Sequence, residues 1–297
     1  MPATTLKLSG LRAEIAPDRW VPGAYQLVVD GTPQSHVNLD DPTQLFFEYV
    51  QRIGHVIDQL PPGPITAVHL GAGALTLPRY VDATRPGSRQ QVIELEPDLI
   101  DFVRETLPLP RGASIRMRYG DAREVLGKLP QGLRQSADLV VVDVFSGSRI
   151  PPHVTSVEFY RLVSELLTPD GIVVVNIADG PGLAFARGQA ATMAAVFAEV
   201  AVLAEPQILK GRRFGNVVLA ASRSELPVEW MPRLLAGGPH PAKLVIGKEL
   251  RHWIAGARIV TDATAVASPS PATSLFGQKR PSDKRSDEKR PGENPED

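Results

Sequence analysis

An α/β fold, a doubly wound and mostly parallel sheet with a small β-region ahead of it, is predicted by three observations. From Ile65 onward short apolar runs alternate with helical stretches, and the runs are continuously apolar, as strands covered on both faces must be. A glycine pair, Gly71-Ala72-Gly73, directly follows the run Val68-His69-Leu70. An acid, Glu94, closes the next run, Gln91-Val92-Ile93, about one helix and one strand later. That is the layout of a nucleotide-binding βαβ unit. Its glycines let the backbone approach the ligand, and its acid accepts hydrogen bonds from ribose hydroxyls.

The elements follow in order. Residues 11–39 read as extended, with Ala13-Glu14-Ile15-Ala16 and Tyr25-Gln26-Leu27-Val28-Val29 bounded by Pro17, Pro22-Gly23 and the Asp30-Gly31 turn signal, so a small antiparallel sheet is expected. Thr43 to Leu60 reads as a helix, with Leu45, Tyr49, Ile53 and Val56 near helical spacing and Pro61-Pro62-Gly63 stopping it. Strands are expected over 65–70, 91–95, 114–118, 138–142 and 171–177, and helices over 76–84, 97–106, 122–128, 155–167 and 183–198. Residues 199–209 and 214–222, separated by Lys210-Gly211-Arg212-Arg213, form an antiparallel hairpin at one edge. A helical stretch near 226–236 and a short segment at 248–255 complete the globule.

Three units result: an N-terminal β-region with its helix (1–62), a nucleoside-binding catalytic domain (63–262), and a charged tail (263–297). Ala263 to Pro271 is Ala/Ser/Thr/Pro apart from Val266, and Gln278 to Asp297 interleaves Lys-Arg with Asp, Glu, Pro and Gly. Such a composition buries too little apolar surface to offset ordering entropy, so disorder is expected there.

Composition excludes several classes of function. The formal net charge of −1 over 297 residues provides no global field toward nucleic acid or an anionic membrane. The absence of cysteine removes disulfides, thiolate metal sites and cysteine nucleophiles. The six histidines have no metal-ligand spacing, so no metal is expected. Met1 to Lys7 lacks an apolar signal core, and apolar runs such as Gly171 to Val175 fall far below the roughly 18 residues of a membrane helix. A soluble, cytoplasmic protein without nucleic-acid or membrane partners is expected.

Ligands of such a sheet bind beyond the carboxyl ends of its strands. Thr76 stands where the third glycine of the dinucleotide fingerprint belongs, which argues against NAD and for a nucleoside without phosphates, such as S-adenosylmethionine or a relative. Four strand ends carry useful groups: Gly71 and Gly73, then Glu94, then Gly120-Asp121-Ala122, then Asp143-Val144-Phe145-Ser146-Gly147. Asp121 is equally suited to cap the helix beginning at Ala122. Asp143 directly follows Leu139 to Val142 and belongs at the mouth of the site. His153, after Pro151-Pro152, reads as a loop or packing residue before it reads as a base. The Lys210 to Arg213 cluster reads as a solvated turn, and there is no Gly-x-Ser-x-Gly elbow or phosphate loop.

In the order of these features the chain, from about Leu27 to Asp262, resembles the spermidine synthase (polyamine aminopropyltransferase) family, whose fold is the Rossmann-like one of S-adenosylmethionine-dependent methyltransferases. The family's Asp-Gly…Gln segment matches Asp30-Gly31 with Gln34, its tyrosine-x-glutamate helix matches Phe46-Phe47-Glu48, and its glycine motif matches Gly71 to Thr76 with Arg79 retained. Glu94 falls on the ribose acid and Asp121-Ala122 on the segment beside the adenine. The fullest match is Glu158 to Val163 through Leu167-Thr168-Pro169-Asp170-Gly171.

The resemblance implies a transferase of polyamine biosynthesis. Its co-substrate would be decarboxylated S-adenosylmethionine or S-adenosylmethionine, its acceptor a small-molecule amine, and its acid near the nucleophile Asp143. Departures cluster on the amine side. Ser146 stands in place of the loop's second aspartate, Ala74 in place of the glycine motif's aspartate, and Phe46 in place of the tyrosine. Unaided, a serine hydroxyl is too weak a base to deprotonate an ammonium. A methyltransferase acting on a less charged acceptor, a non-catalytic nucleoside-binding protein, and a homodimeric assembly are left open.

Overall fold

A computed structural model describes residues 1–237 and 240–271 of the chain. Four strands, β1 (Ala3–Thr5), β2 (Arg12–Pro17), β3 (Ala24–Val29) and β4 (Thr32–Asn38), form an antiparallel sheet in that order. The Asp30-Gly31 turn joins β3 to β4, both residues adopting positive φ, as a tight hairpin requires. Then come α1 (Glu48–Asp58), β5 (Thr66–Leu70), α2 (Thr76–Thr84), β6 (Arg89–Glu94), α3 (Pro97–Thr106), β7 (Ile115–Tyr119), α4 (Ala122–Gly127), β8 (Ala137–Val142) and α5 (Val157–Ser164). The chain continues through β9 (Leu167–Asp179), α6 (Ala184–Ala194), β10 (Glu199–Ala204), α7 (Pro206–Leu209), β11 (Gly215–Ser222), α8 (Met231–Ala236), β12 (Lys243–Val245) and α9 (Gly247–Trp253).

The second sheet has eight strands in the order β12-β10-β11-β9-β8-β5-β6-β7, parallel from β9 to β7 and antiparallel around β11. Its alternating side chains feed two cores. Val140, Val142, Val173 and Val175 face one side with α4, α5 and α6; Leu139, Val141, Ile172 and Val174 face the other with α1, α2 and α8. Strands that bury both faces have no polar side to alternate with, which explains their continuous apolar runs. A third cluster joins the N-terminal sheet (Ala13, Ile15, Leu27, Val37) to α3 and to Ala72, Ala74 and Leu75 of the glycine turn.

Several expected boundaries move. The first helix begins at Glu48 rather than Thr43, because Asn38 and Asp41 accept backbone N–H groups in a turn and Gln51 donates to the carbonyls of Leu45 and Phe46. This helix packs on the large sheet through the second of the two cores. Strand β9 starts at Leu167 rather than 171: residues 168–171 loop out where Leu167 pairs with Ala137 and Ile172 with Leu139. The helix expected over 155–167 narrows to Val157–Ser164, that over 183–198 to Ala184–Ala194, and that over 226–236 to Met231–Ala236. The hairpin of β10 and β11 forms, with α7 inserted in its turn and β12 outside it at the edge.

Residues 263–271, expected to start the disordered tail, pack against the body: Ser268 is fully buried and bonds Ile150. Hydrogen bonding, not apolar burial, holds this segment. The tail from residue 272 onward lies outside the described residues. Among the described residues no helix is long and apolar enough to cross a membrane.

Candidate nucleoside and acceptor site

Strand order reverses between β5 and β8, and that switch point carries both the glycine turn and Asp143. Gly71, at φ +89°, is required by close packing: a Cβ there would overlap the Asp143 carbonyl oxygen. Gly73, at φ +49°, is required likewise, since a Cβ would overlap the Ser35 hydroxyl. Both glycines thus serve approaches within the protein, the first between two strand ends and the second between β4 and the turn. The same Ser35 hydroxyl accepts the Ala74 N–H at 3.1 Å. Arg79 anchors the next helix by donating to the Leu107 and Pro108 carbonyls.

Glu94 leaves β6 beside this turn. One carboxylate oxygen accepts the Ala72 N–H at 2.9 Å and the other accepts the Glu96 N–H at 3.0 Å. Burial pushes its pKa above the ordinary carboxylate value, while the amides of Glu96 and Ala72 pull the other way. Its carboxylate therefore has a fixed direction, and each oxygen retains a further lone pair. Glu96 is also buried and accepts the Ser9 N–H at 2.7 Å, tying the N-terminal loop to the same rim.

Asp121 caps α4 and also faces His153. One oxygen accepts the N–H groups of Arg123 and Glu124 at the start of α4, and the other lies 2.7 Å from His153 Nε2. A surface cleft of about 700 Å³ adjoins this pair, lined by Arg123, Glu124, Lys128 and Leu162 among others. Neither Glu94 nor Asp143 reaches it. Gln34 is the extra residue of a β-bulge, since Leu27 pairs with Ser35 and Val28 with Pro33, leaving Gln34 unpaired. Bulges commonly re-aim side chains near sites.

Asp143 follows β8 at the same edge. Val142 stands opposite Val175 in β9, so Asn176 is the next residue across, and its side-chain amide donates to Asp143 at 2.8 Å. Asn216 of β11 donates to Asn176 at 3.0 Å, and the Tyr49 hydroxyl of α1 sits beside the Asp143 carboxyl. Burial dominates and raises the Asp143 pKa; Asn176 and Tyr49 oppose the rise. Tyr49 itself is pushed well above its usual value by burial and by the neighbouring Asp143 charge.

Sequence reasoning missed Tyr49, Asn176 and Asn216. Asn176 left a trace, a lone amide inside Val173-Val174-Val175-Asn176-Ile177. Tyr49 was masked by its helical spacing with apolar neighbours.

The three positions expected on the amine side separate. Ala74 is 1% exposed, within the third cluster. Ser146 is exposed on the loop, paired with Arg149. Phe46 is half exposed and stacks on His36 at 4.3 Å. Glu48, Glu205 and His240 bring one ligand atom each within 4.8 Å of one another. Arg213 bonds Glu205 at 2.5 Å and the buried Arg52 lies 3.7 Å from it, so protein cations already balance those carboxylates.

No family model matches the chain. A polyamine aminopropyltransferase of Neisseria meningitidis serogroup A is 31% identical over 149 residues, covering 49% of this chain and 54% of that protein. A probable spermidine synthase from Corynebacterium glutamicum superposes with a TM-score of 0.78 at 29% identity, covering 93% of this chain and 98% of the other. The chain resembles the polyamine aminopropyltransferases. A spermidine synthase solved in complex with the transition-state analogue AdoDATO shares the fold, with a TM-score of 0.55 at 14% identity over 89% of this chain and 81% of its own. The expected α/β fold of methyltransferase type, with its small N-terminal β-sheet, is the observed one. The chain spans about half the length of the curated relative it matches.

Proposed function

We propose that this protein transfers an aminopropyl group from decarboxylated S-adenosylmethionine to an amine. In that reaction the amine nitrogen forms a bond to the carbon next to the sulfonium. The carbon–sulfur bond breaks, its electron pair neutralises the sulfur, and methylthioadenosine leaves. The nitrogen must then lose a proton. Because the sulfonium is already a good leaving group, the protein's work is alignment and proton acceptance.

The carrying observation is Asp143: a desolvated carboxyl at the switch point, with a raised pKa, held by Asn176 within a few residues of the glycine turn. A raised pKa makes a carboxylate a better base. Glu94 is assigned to the ribose hydroxyls, with Gly71 and Gly73 shaping the turn. Asp121 and Ala122 are assigned to the adenine edge and Gln34 to the rim opposite. Homologues named polyamine aminopropyltransferases and a spermidine synthase neighbour solved with the transition-state analogue AdoDATO support this reading.

The acceptor side is atypical, because neither Ala74 nor Ser146 supplies a carboxylate for an ammonium. One such pair at about 4 Å contributes on the order of 4 kcal/mol at an effective dielectric near 20. Putrescine should accordingly be a poor acceptor relative to amines of lower charge. The test is release of methylthioadenosine from decarboxylated S-adenosylmethionine across a panel of mono- and diamines. Release with an amine and its loss in Asp143→Asn support the assignment. Methyl transfer from S-adenosylmethionine, with no methylthioadenosine from any amine, would overturn it.

A further inference from the structure

The loop leaving Asp143 is gripped from two sides by the last described segment of the chain. Ser268, fully buried, pairs with Ile150 in both directions: its N–H donates to the Ile150 carbonyl at 3.1 Å, and the Ile150 N–H donates to its hydroxyl at 2.8 Å. Arg149 Nε donates to the Ser268 carbonyl at 2.6 Å. Arg149 in turn exchanges backbone hydrogen bonds with Ser146, at 2.8 and 3.3 Å, closing the tight turn around Gly147.

Six residues earlier, Asp262 takes both guanidinium nitrogens of Arg123 at 2.6 and 2.7 Å and the Ser156 hydroxyl at 2.5 Å. That same Arg123 donates to the His153 carbonyl. The segment from Asp262 to Ser268 therefore fastens both the middle of the loop and its end at the start of α5.

We propose that Ser268 is a positioning residue for the reaction assigned above: through Ile150 and Arg149 it sets the turn that carries Ser146, and so the acceptor-facing wall beside Asp143. This rests on the aminopropyl-transfer reading for the acceptor wall and its kinetic consequence, and not for the clamp itself. The physical reason is local. Between Asp143 and Ile150 the loop's internal backbone pairing is the Ser146–Arg149 exchange alone, and its tip is exposed. Ile150 is 4% exposed, so its N–H must find a partner inside the protein, and the Ser268 hydroxyl is that partner. Without the hydroxyl, the loop must move to bring that N–H to water or leave it unpaired.

The test uses full-length protein with Ser268→Ala, which removes the hydroxyl alone, and Ser268→Thr, which retains one. Hydrogen exchange over residues 144–150 should quicken about tenfold in Ser268→Ala, the effect of one buried donor losing its partner. The Thr variant should restore it, and exchange in β5 and β8 should not change in either. Methylthioadenosine affinity should stay within about twofold, while KM for the amine rises more than kcat falls. Unchanged exchange over 144–150 in Ser268→Ala would overturn the clamp. Quickened exchange with unaltered amine KM would overturn the positioning role. If the protein proves to transfer no aminopropyl group, the exchange measurement still decides whether Ser268 holds the loop.

Discussion

The side-chain amide of Asn176 donates to Asp143 at 2.8 Å, each residue directly following one member of the Val142–Val175 pair that joins β8 to β9. An amide nitrogen only donates, so it favours the ionised carboxylate where burial favours the neutral acid. Asn216 fixes the direction of Asn176 by donating to its oxygen. Replacing Asn176 by Asp would put a second carboxylate there and raise the Asp143 pKa further. The acid limb of the pH–rate profile should then move to higher pH in Asn176→Asp, and an unmoved limb would detach Asn176 from Asp143.

Asp143 should also weaken the fold at neutral pH. Its folded pKa is raised, so the native state holds its proton more tightly than the unfolded chain does. Its contribution is therefore most favourable below the unfolded value of about 3.9 and declines as pH rises from there through the folded value. Asp143→Asn should melt at an equal or higher temperature at pH 8, with the difference shrinking toward pH 4. Turnover should meanwhile fall by roughly 10²- to 10⁴-fold, the usual size of a general base contribution. A lower melting temperature at pH 8 would mean that Asp143 is held for structure.

Glu94→Gln should weaken methylthioadenosine binding. The carboxylate uses both oxygens to receive the Ala72 and Glu96 amides, and a glutamine has only one oxygen to offer. Hydrogen bonds to a charged group contribute about 1.5–3 kcal/mol, so a loss of roughly ten- to hundredfold is expected in calorimetry. An unchanged dissociation constant in a folded variant would remove Glu94 from the ribose.

What could be seen in the sequence follows from what each element buries. Strands β5, β8 and β9 have apolar neighbours on both faces and carry that in their composition. The three-residue strands β1 and β12 are too short to hold a pattern. Glu94 and Asp143 were legible because each directly ends an apolar run. Tyr49, Asn176 and Asn216 come from three separate elements, and only folding brings them to one carboxylate. Ser268 sits in an Ala/Ser/Thr/Pro stretch whose contacts are hydrogen bonds, and hydrogen-bonding partners leave no periodicity to read.

His69 should make the protein acid-sensitive without touching the site. It is buried in β5 with Nε2 2.9 Å from the Gln90 side-chain oxygen, and burial pulls its pKa from 6.5 down to about 4. A depressed histidine is neutral in the fold, whereas the unfolded chain takes a proton as pH drops below 6.5. Stability is therefore lost as pH falls from 6.5 toward 4, by up to about 1.4 kcal/mol per unit. The slope of melting temperature against pH in that window should flatten in His69→Leu. A slope identical to that of the unaltered protein would place the acid sensitivity elsewhere.

Restoring carboxylates on the amine side should succeed at one position and fail at the other. Ala74 is 1% exposed within the cluster that joins the N-terminal sheet to α3, and its N–H is already bound to Ser35. A carboxylate there would be buried without a partner, a change that costs several kcal/mol. Ala74→Asp should therefore lower the melting temperature and yield little activity. Ser146 is exposed on the turn beyond Asp143, where an added charge stays solvated. Ser146→Asp alone should raise kcat/KM for putrescine more than for a monoamine, because only the diamine retains a positive charge beyond the reacting nitrogen. Equal gains for both amines would mean that the new carboxylate acts as a base and not as a charge partner. Efficient use of putrescine by the unaltered protein would show that another carboxylate already serves the acceptor.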